Sequence, residues 1–224
     1  MSQQPEERAL RRDVHHAEAL GWLAANAAEE RASVLTSLPD ASEMPALGFA
    51  GWRQWFMTAA ERVLAWIPLG SVAIFYQSDV RRQGAWVDKG YLVSRAAEAA
   101  GAEMVWHKVV CRKPPGTITH GRAGYAHLLC FSRGPVPVPR HGLPDVVLEA
   151  ALPPWSKAMG VAACRLACRF LRDEVGARTV VDPFCGRGTA LVIANELGLE
   201  AIGIDHGARA CRAARRLTLA DLGA

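Results

Sequence analysis

A short stretch near the C-terminal end of the sequence combines an acid, two glycines and a threonine at a spacing that suits a nucleotide-type cofactor. Asp182 follows the β-branched, apolar residues 179–181, which predict the end of a buried strand. Gly186 and Gly188 come next, and a helix-forming run begins at Thr189. Glycines allow a ligand to approach the backbone closely because they have no Cβ. A strand, a glycine turn and a helix start form such a cofactor site, whereas a phosphate loop would end in Gly-Lys-Ser/Thr.

A second acid, Asp205, follows the next predicted strand at residues 201–204. Ligands of open α/β sheets bind at the carboxyl ends of the strands, so we expect Asp182 and Asp205 at one edge of the sheet. In dinucleotide-binding folds a carboxylate after the second strand accepts both hydrogens of a ribose diol. We therefore predict that Asp205 binds a ribose. A surface carboxylate is the alternative for either acid taken alone.

Cationic residues lie in two loops that contain glycine or proline, at residues 77–89 and 111–124. Exposed Arg and Lys side chains beside such residues suit contacts with phosphates. The loop residues predicted to bind a nucleic-acid substrate are Arg81, Arg82, Arg112, Lys113, His120 and Arg122, and Lys108 of the predicted strand 104–110 is added to them. A metal site is the alternative for four residues of this region: His107, Cys111, His120 and His127. We favour hydrogen-bonding roles for these histidines and expect no metal.

Alternating helices and strands would position these residues. Strands are predicted at 14–16, 32–36, 71–76, 104–110, 127–132, 179–181 and 201–204. Helices are predicted at 6–12, 17–30, 52–67, 91–100, 156–175, 189–197 and 208–219. The alternation predicts an α/β fold with a seven-stranded, mostly parallel sheet, in which the pair 104–110 and 127–132 contributes one antiparallel strand. The interval 134–154 holds six prolines, which predicts a connector with no more than a turn of helix at 146–151.

Composition and charge favour one domain without a membrane partner and permit a nucleic-acid partner. The chain has 224 residues, of which 50% are hydrophobic, and no apolar run reaches the roughly 18 residues of a membrane span. Its first residues lack the apolar centre of a signal peptide, so we expect a cytoplasmic protein. The six cysteines are scattered, which favours reduced thiols. A net charge of +4 permits a nucleic-acid partner.

Residues 182–189, Asp-Pro-Phe-Cys-Gly-Arg-Gly-Thr, resemble the first motif of the S-adenosylmethionine (SAM) dependent methyltransferases that methylate amino groups in DNA and RNA. Residues 17–20 and 34–40 resemble the paired motifs Gly-Asp-Ala-Leu and Thr-Ser-Pro-Pro-Tyr of the same enzymes. In the usual order of that fold the glycine-rich strand comes first and the catalytic loop fourth. Here the loop precedes the glycine-rich strand, so the resemblance implies a circularly permuted, Rossmann-like methyltransferase domain.

The resemblance divides the single domain 1–224 into a catalytic and substrate half at 13–133, a Pro-rich connector at 134–155 and a SAM-binding half at 156–220. It places residues 182–188 around the methionine part of SAM. Glu18 matches the acid that accepts a hydrogen bond from the adenine amino group, although alanine replaces the glycine that normally precedes it.

Further residues are implied for the cofactor by the same resemblance. The adenine would be flanked by Ala17, Ala19 and His206. Three residues match the helix that closes over SAM in permuted members: Trp155, Lys157 and Gly160. The complete set implied for cofactor binding is Glu18, Ala19, Trp155, Lys157, Gly160, Asp182, Phe184, Cys185, Gly186, Gly188, Thr189, Asp205 and His206.

The catalytic loop implied by the resemblance is Ser37, Leu38, Pro39 and Asp40. In related enzymes this loop binds the amino group of a flipped-out base, and its last, aromatic residue stacks on that base. Serine at the first place favours cytosine N4, but Leu38 replaces a proline and Asp40 replaces the aromatic residue. Asp40 could instead act as a base or accept the amine. Three other residues could supply the stacking: Phe49, Trp52 and Trp86. A simple turn is the alternative for the whole loop.

The short connector guides the prediction of the substrate. About twenty Pro-rich residues cannot form the target-recognition domain of a sequence-specific DNA methyltransferase, so structured RNA, such as tRNA or rRNA, is the favoured substrate. Methylation of DNA at cytosine N4 or adenine N6 is the alternative. Because the loop departs from the family pattern, a SAM-binding scaffold subunit without catalytic activity is a second alternative. The sequence leaves a homodimer or a partner subunit open.

Overall fold

The structure, a computed structural model, describes residues 10–135, 139–149, 155 and 157–223. Its strands are β1 (Arg12–His16), β2 (Ala32–Thr36), β3 (Val72–Gln77), β4 (Val80–Arg82), β5 (Ala85–Val87), β6 (Glu103–Cys111), β7 (Tyr125–Ser132), β8 (Val146–Leu148), β9 (Thr179–Asp182) and β10 (Glu200–Asp205). Its α-helices are α1 (Ala19–Ala25), α2 (Gly48–Trp66), α3 (Lys89–Ala99), α4 (Val161–Phe170), α5 (Thr189–Glu196) and α6 (Ala208–Arg216). Most of these elements were predicted from the sequence, with bounds that differ by a few residues.

Eight strands form one sheet in the order β1-β10-β9-β2-β3-β7-β6-β8, and β4 pairs with β5 as a separate hairpin. The strands from β1 to β3 are parallel to one another, and β7 runs antiparallel to both of its neighbours. If numbering starts at the glycine-rich strand β9 and continues from β10 to β1, the order begins 3-2-1-4-5, as in doubly wound folds. The mostly parallel sheet, its one antiparallel strand and the circular permutation are thus confirmed.

Helices cover both faces of the sheet, which explains why β2, β3 and β9 consist entirely of buried residues. One core contains buried residues of α4, α5 and α6, and the other contains buried residues of α1, α2 and α3. Successive residues of a strand face opposite sides, so Leu35 packs into the first core and Val34 into the second. Among the described residues, no helix is long and apolar enough to cross a membrane.

Two predictions about the sheet and its connector are wrong. The sheet has eight strands rather than seven, because Val146–Leu148 forms β8, parallel to β6, where a turn of helix was expected. The loop predicted at 77–89 contains the β4–β5 hairpin, whose turn residues Gln83 and Gly84 have φ values of 49° and 82°. Positive φ at both turn residues matches the right-handed twist of a two-residue hairpin.

Two helix boundaries also differ from the prediction. Helix α4 begins at Val161 instead of residue 156, continues as a π-helical turn over Leu171–Val175 and ends at Gly176. The helix predicted at 6–12 lies mostly outside the described residues, and its last residue, Arg12, belongs to β1.

Candidate cofactor and substrate site

A cavity of about 680 Å³ opens at the carboxyl ends of β2, β9 and β10. We call it the large cavity, and its volume lies in the range of small-molecule sites. Of the residues predicted to bind SAM, those that line it are Glu18, Ala19, Trp155, Lys157, Phe184, Cys185, Gly186, Thr189, Asp205 and His206. Residues from both ends of the chain therefore meet in one cavity.

The turn after β9 is held by the carboxylate of Asp205. Its Oδ2 accepts a hydrogen bond from the backbone N–H of Gly186 at 2.9 Å, and its Oδ1 accepts one from Gly207 at 2.7 Å. A carboxylate has about four acceptor positions, so lone pairs remain for two hydroxyl groups of a ligand. Gly186 has a φ of +53°, and a Cβ there would meet no protein atom within 4 Å. The glycine thus leaves open space on the cavity wall, which fits a ribose beside Asp205.

Asp182 lies behind this wall and does not line the large cavity. Its Oδ1 accepts hydrogen bonds from the Thr36 hydroxyl at 2.7 Å and from the backbone N–H of Phe184 at 3.1 Å. Its Oδ2 is buried and has no partner among the described residues. Burial raises the pKa of Asp182 to about 7, and the nearby charge of Asp205 contributes to the rise. A cationic ligand group close to this carboxylate would favour its charged form.

Of the remaining cofactor candidates, three that line the large cavity already interact with the protein or are held neutral by burial. Glu18 caps α1, since its carboxylate accepts hydrogen bonds from the backbone N–H groups of Leu20 at 3.0 Å and Gly21 at 2.6 Å. Lys157 forms an ion pair with Glu43 at 3.2 Å. The thiol of Cys185 remains protonated because burial raises its pKa.

Gly160 and Gly188 do not line the large cavity, and packing explains both glycines. The carboxylate of Glu149 caps the start of α4 and occupies the place where a Cβ of Gly160 would lie. A Cβ on Gly188 would lie 3.0 Å from the Cβ of Ala214 in α6, and its φ of +88° favours glycine.

The catalytic loop predicted at Ser37–Asp40 divides between two spaces. Ser37, Leu38 and Pro39 line the large cavity, whereas Asp40 lines a second, smaller pocket of about 60 Å³. The Asp40 carboxylate forms an ion pair with the ammonium group of Lys89, whose side chain is 3% exposed. The indole N–H of Trp52 donates to the carbonyl of Pro39 at 3.0 Å. Two side chains from later elements therefore hold the loop in place.

Several cavity-lining residues were not predicted from the sequence: Glu43, Met44, Pro45, Ala46, Leu47, Trp55, Ala158 and Met159. Pro183 and Arg187 also line the cavity and belong to the segment 182–188 that was expected around the methionine part of SAM. Two 3₁₀ turns, Ala41–Glu43 and Pro45–Leu47, follow the loop, and residues 44–47 provide apolar surface to the large cavity. The apolar run at residues 44–47, close to the predicted loop, could have indicated from the sequence that this segment lines the cavity. Arg187 lies with its guanidinium 4.3 Å from the ring centre of Trp155, which spacing alone does not indicate.

Of the three residues considered for stacking on a substrate base, two are accessible, and the prediction for the third is wrong. Trp52 is completely buried, so it cannot stack on a substrate base. Trp86 is 43% exposed, and Phe49 is partly exposed at the start of α2. The guanidinium of Arg82 lies 4.4 Å from the ring centre of Phe49, and that of Arg81 lies 5.3 Å from Trp86. The hairpin thus contains one cation–aromatic pair and forms a second one with α2.

The predicted substrate cations separate into two sets. Arg112 and Arg122 line the small pocket, and a bridge between Val80 and Arg122 links their loop to the hairpin. The other five line neither space: Arg81 and Arg82 lie in the hairpin, and the remaining three are Lys108, Lys113 and His120. Lys108 is buried in β6 and pairs with Asp145 at 2.7 Å, which explains its burial. Exposed positions on the loop after β6 carry Lys113 and His120.

The histidines of this region form a hydrogen-bonded series. Nε2 of His127 lies 3.0 Å from Asp79, and its Nδ1 lies 3.0 Å from Nε2 of His107. Asp79 also accepts from the backbone of Lys89, the indole of Trp86 and the hydroxyl of Tyr125. Burial opposes ionisation of Asp79, but these donors hold its pKa below the usual value.

One grouping in the described chain has metal-ligand spacing: Asp79, Asp88 and His127. Its atoms already have partners, because Asp88 caps α3 and Asp79 accepts from His127. The set differs from the one considered in the sequence, which included His120 and Cys111. Structural roles therefore account for these side chains.

Comparisons with known proteins support the motif and the fold. Residues 176–216 match the model of the N6/N4 methyltransferase family, which is described as DNA methylase. No curated protein sequence matches the chain. A Thermus thermophilus protein described as a putative DNA modification methylase, complexed with S-adenosyl-L-methionine, has a similar structure. The TM-score is 0.72 and the sequence identity is 19%, and the match covers 95% of this chain and 96% of that chain.

Two further solved structures share the fold at 14% identity. The cytosine-N4-specific PvuII DNA methyltransferase has a TM-score of 0.67, over 93% of this chain and 87% of that chain. The M1.HpyAVI–SAM complex has a TM-score of 0.60, over 92% and 98%. The chain therefore has the fold of the SAM-dependent class I methyltransferases and resembles their circularly permuted amino-methylating members.

Proposed function

We propose that this protein transfers a methyl group from SAM to an exocyclic amino nitrogen of a base in DNA. One observation carries the proposal: Ser37–Pro39 and the glycine turn with Asp205 line the same cavity. A cofactor held by Asp205 and Gly186 and an amino group held by Ser37 would therefore be neighbours. The match of residues 176–216 to the DNA methylase model supports the chemistry.

The residues of the large cavity fit SAM. Asp205 retains acceptor positions for ribose hydroxyls, and Gly186 leaves room beside it. Glu18 and Asp205 provide negative charge for a cationic cofactor, and apolar residues such as Met44 and Phe184 provide surface for its adenine. Bound SAM would supply an electrophilic methyl group, whose bond to sulfur breaks as the amino nitrogen bonds to carbon.

The protein's own residues orient the amino group. Ser37 Oγ can accept one amino hydrogen, which directs the nitrogen lone pair toward the cofactor side of the cavity. Trp52 and Lys89 fix the loop through Pro39 and Asp40, so Ser37 is held without rearrangement. Because Lys89 engages the Asp40 carboxylate, we assign Asp40 to positioning rather than to proton transfer, and the methylated amine loses its proton to water.

DNA replaces RNA as the favoured substrate. The argument for RNA depended on the short connector, which leaves no room for a recognition domain. The Thermus thermophilus protein described as a putative DNA modification methylase is covered over 96% of its length by this chain, so compactness does not argue against DNA. The net charge of +4 and the arginines of the hairpin and of the loop after β6 support contacts with phosphates.

The test incubates the protein with labelled SAM and separate pools of duplex DNA, single-stranded DNA, tRNA and rRNA, followed by mass spectrometry of the nucleosides. We expect a methylated amino nucleoside in DNA, and its loss in Ser37→Ala with SAM affinity retained by calorimetry. Label in RNA alone would contradict DNA as substrate. SAM binding without label in any pool would instead support a non-catalytic scaffold.

A further inference from the structure

The small pocket adjoins the large cavity at the catalytic loop. Both spaces are lined by Ser37 and Leu38, and the small pocket extends from there to the ends of β3 and β6. Its volume of about 60 Å³ provides room for the edge of a base. If the proposed function holds, the base whose amino group reaches Ser37 must place its adjoining edge in this pocket.

Two residues that line this pocket carry buried donors with no acceptor among the described residues: the O–H of Tyr76, whose oxygen lies near the backbone N–H of Gly160, and the Nε–H of Arg112. Tyr76 is 4% exposed, and burial raises the pKa of its hydroxyl, which therefore remains a donor. Arg112 is oriented by a hydrogen bond from its Nη1 to the Ser78 hydroxyl at 3.1 Å. A buried group without a partner destabilises the fold, so a pair of them in one pocket indicates a ligand that provides acceptors.

The acids of the pocket are already engaged. Asp40 pairs with Lys89, and Glu43 pairs with Lys157. Asp79 accepts from four donors. Each of these acids already has a donor, whereas the Tyr76 O–H and the Arg112 Nε–H have no acceptor, so a ligand that offered only donors would leave both unsatisfied.

The required pattern is an amino group for Ser37 followed by acceptors for Tyr76 and Arg112. Along its Watson–Crick edge cytosine presents the N4 amino group, then the acceptors N3 and O2. Adenine presents the N6 amino group and N1, but then a carbon-bound hydrogen at C2. Cytosine can thus satisfy both donors, and adenine can satisfy only one of them.

We propose that Tyr76 and Arg112 are specificity-determining residues that hold a flipped-out cytosine by N3 and O2 while Ser37 accepts from N4. The inference rests on the proposed function and narrows it to methylation of cytosine N4. Arg112 acts here through a directed hydrogen bond, and Tyr76 acts through its hydroxyl alone.

The test measures kcat/KM on duplex DNA, the affinity for SAM by calorimetry and the identity of the methylated nucleoside by mass spectrometry. We expect N4-methyldeoxycytidine from the unaltered protein. Tyr76→Phe is expected to lower kcat/KM roughly tenfold, to reduce the ratio of cytosine to adenine methylation, and to leave SAM affinity within about twofold. The matched control Tyr91→Phe removes the hydroxyl of a 56% exposed tyrosine and should change none of these values.

Arg112→Lys separates reading of the base from binding of a phosphate. Lysine keeps the positive charge but loses the planar donor geometry, so a phosphate contact would survive and a base contact would not. We expect a loss of roughly tenfold or more in kcat/KM, and none for Arg169→Lys on the exposed side of α4. Retained activity in Arg112→Lys or Tyr76→Phe would overturn the proposal. N6-methyladenine as the product would overturn it but leave the proposed function standing, whereas absence of any methylation would contradict both.

Discussion

Replacement of Asp182 by asparagine should change how stability depends on pH in the protein without ligand. The carboxyl group is completely buried, and burial raises its pKa from an ordinary value of 3.8 to about 7. Thr36 and the backbone of Phe184 donate to one oxygen and oppose this rise, but the other oxygen has no partner among the described residues. Asparagine has nearly the same shape and cannot ionise, so it removes the titration while keeping most of the packing.

The sign and size of the effect follow from proton binding. Because the folded-state pKa lies above the unfolded one, the folded protein holds an additional proton between about pH 4 and pH 7. The free energy of unfolding therefore falls as pH rises through this window, by about 1.4 kcal/mol per pH unit, and levels off above pH 7. Asp182 should cost the unaltered protein roughly 3 kcal/mol between pH 5 and pH 8.

Urea unfolding at pH 5, 6, 7 and 8 measures this cost. The free energy of unfolding of Asp182→Asn minus that of the unaltered protein should increase by roughly 3 kcal/mol from pH 5 to pH 8. Thr36→Val removes one donor to the carboxylate and should extend the sloping part of the curve above pH 7. Parallel pH profiles for the unaltered protein and Asp182→Asn would refute the assignment of the raised pKa to this residue.

Three further predictions concern the same region. Binding of SAM near pH 7 should release a proton, because a cationic cofactor in the adjoining cavity favours the ionised form of Asp182. Calorimetry in buffers with different ionisation enthalpies would detect the release, and an identical heat in all buffers would contradict it. Lys89→Met should lower the free energy of unfolding by roughly 2 kcal/mol because Asp40 loses its partner. The double variant Lys89→Met/Asp40→Leu should recover most of this free energy, as measured by urea unfolding. Gly160→Ala should cost roughly 2 kcal/mol because its Cβ would displace the Glu149 carboxylate, and equal stability of Gly160→Ala and the unaltered protein would exclude that clash.

The sequence predicts the sheet well where a strand is long and buried. The fully buried β3 and the β-branched β9 lie within about a residue of the predicted bounds. The short strand β8 was missed because three residues between prolines carry no periodicity, and because its pairing with β6 depends on a distant segment. The β4–β5 hairpin was missed since Gln83 is an unusual residue for a positive φ.

The sequence also predicts the cavity-lining residues that lie within motifs, because spacing within a motif is local information, but it misses the apolar segment 44–47 and Trp55. It does not predict which side chains come from elsewhere to hold them. Asp40 was an open choice between base and acceptor, and its partner Lys89 lies at the start of α3. Trp52 lies on the apolar face of a helix, where burial excludes stacking on a base. Lys108 occupies an inward position of β6, between the buried Trp106 and Val110, so alternation alone argued against substrate contact.

The circular permutation shows what this site requires of the chain. Asp205 ends β10 near the C-terminal end, and Glu18 follows β1 near the N-terminal end, yet both line the large cavity. They are brought together by the parallel pairing of β1 with β10, and the backbone N–H of Ala17 donates to the carbonyl of Asp205 at 3.0 Å. The loop Ser37–Asp40 reaches the glycine turn in the same way, through the pairing of β2 with β9. The order of strands in space therefore determines the site, and the point at which the chain begins can move without changing it.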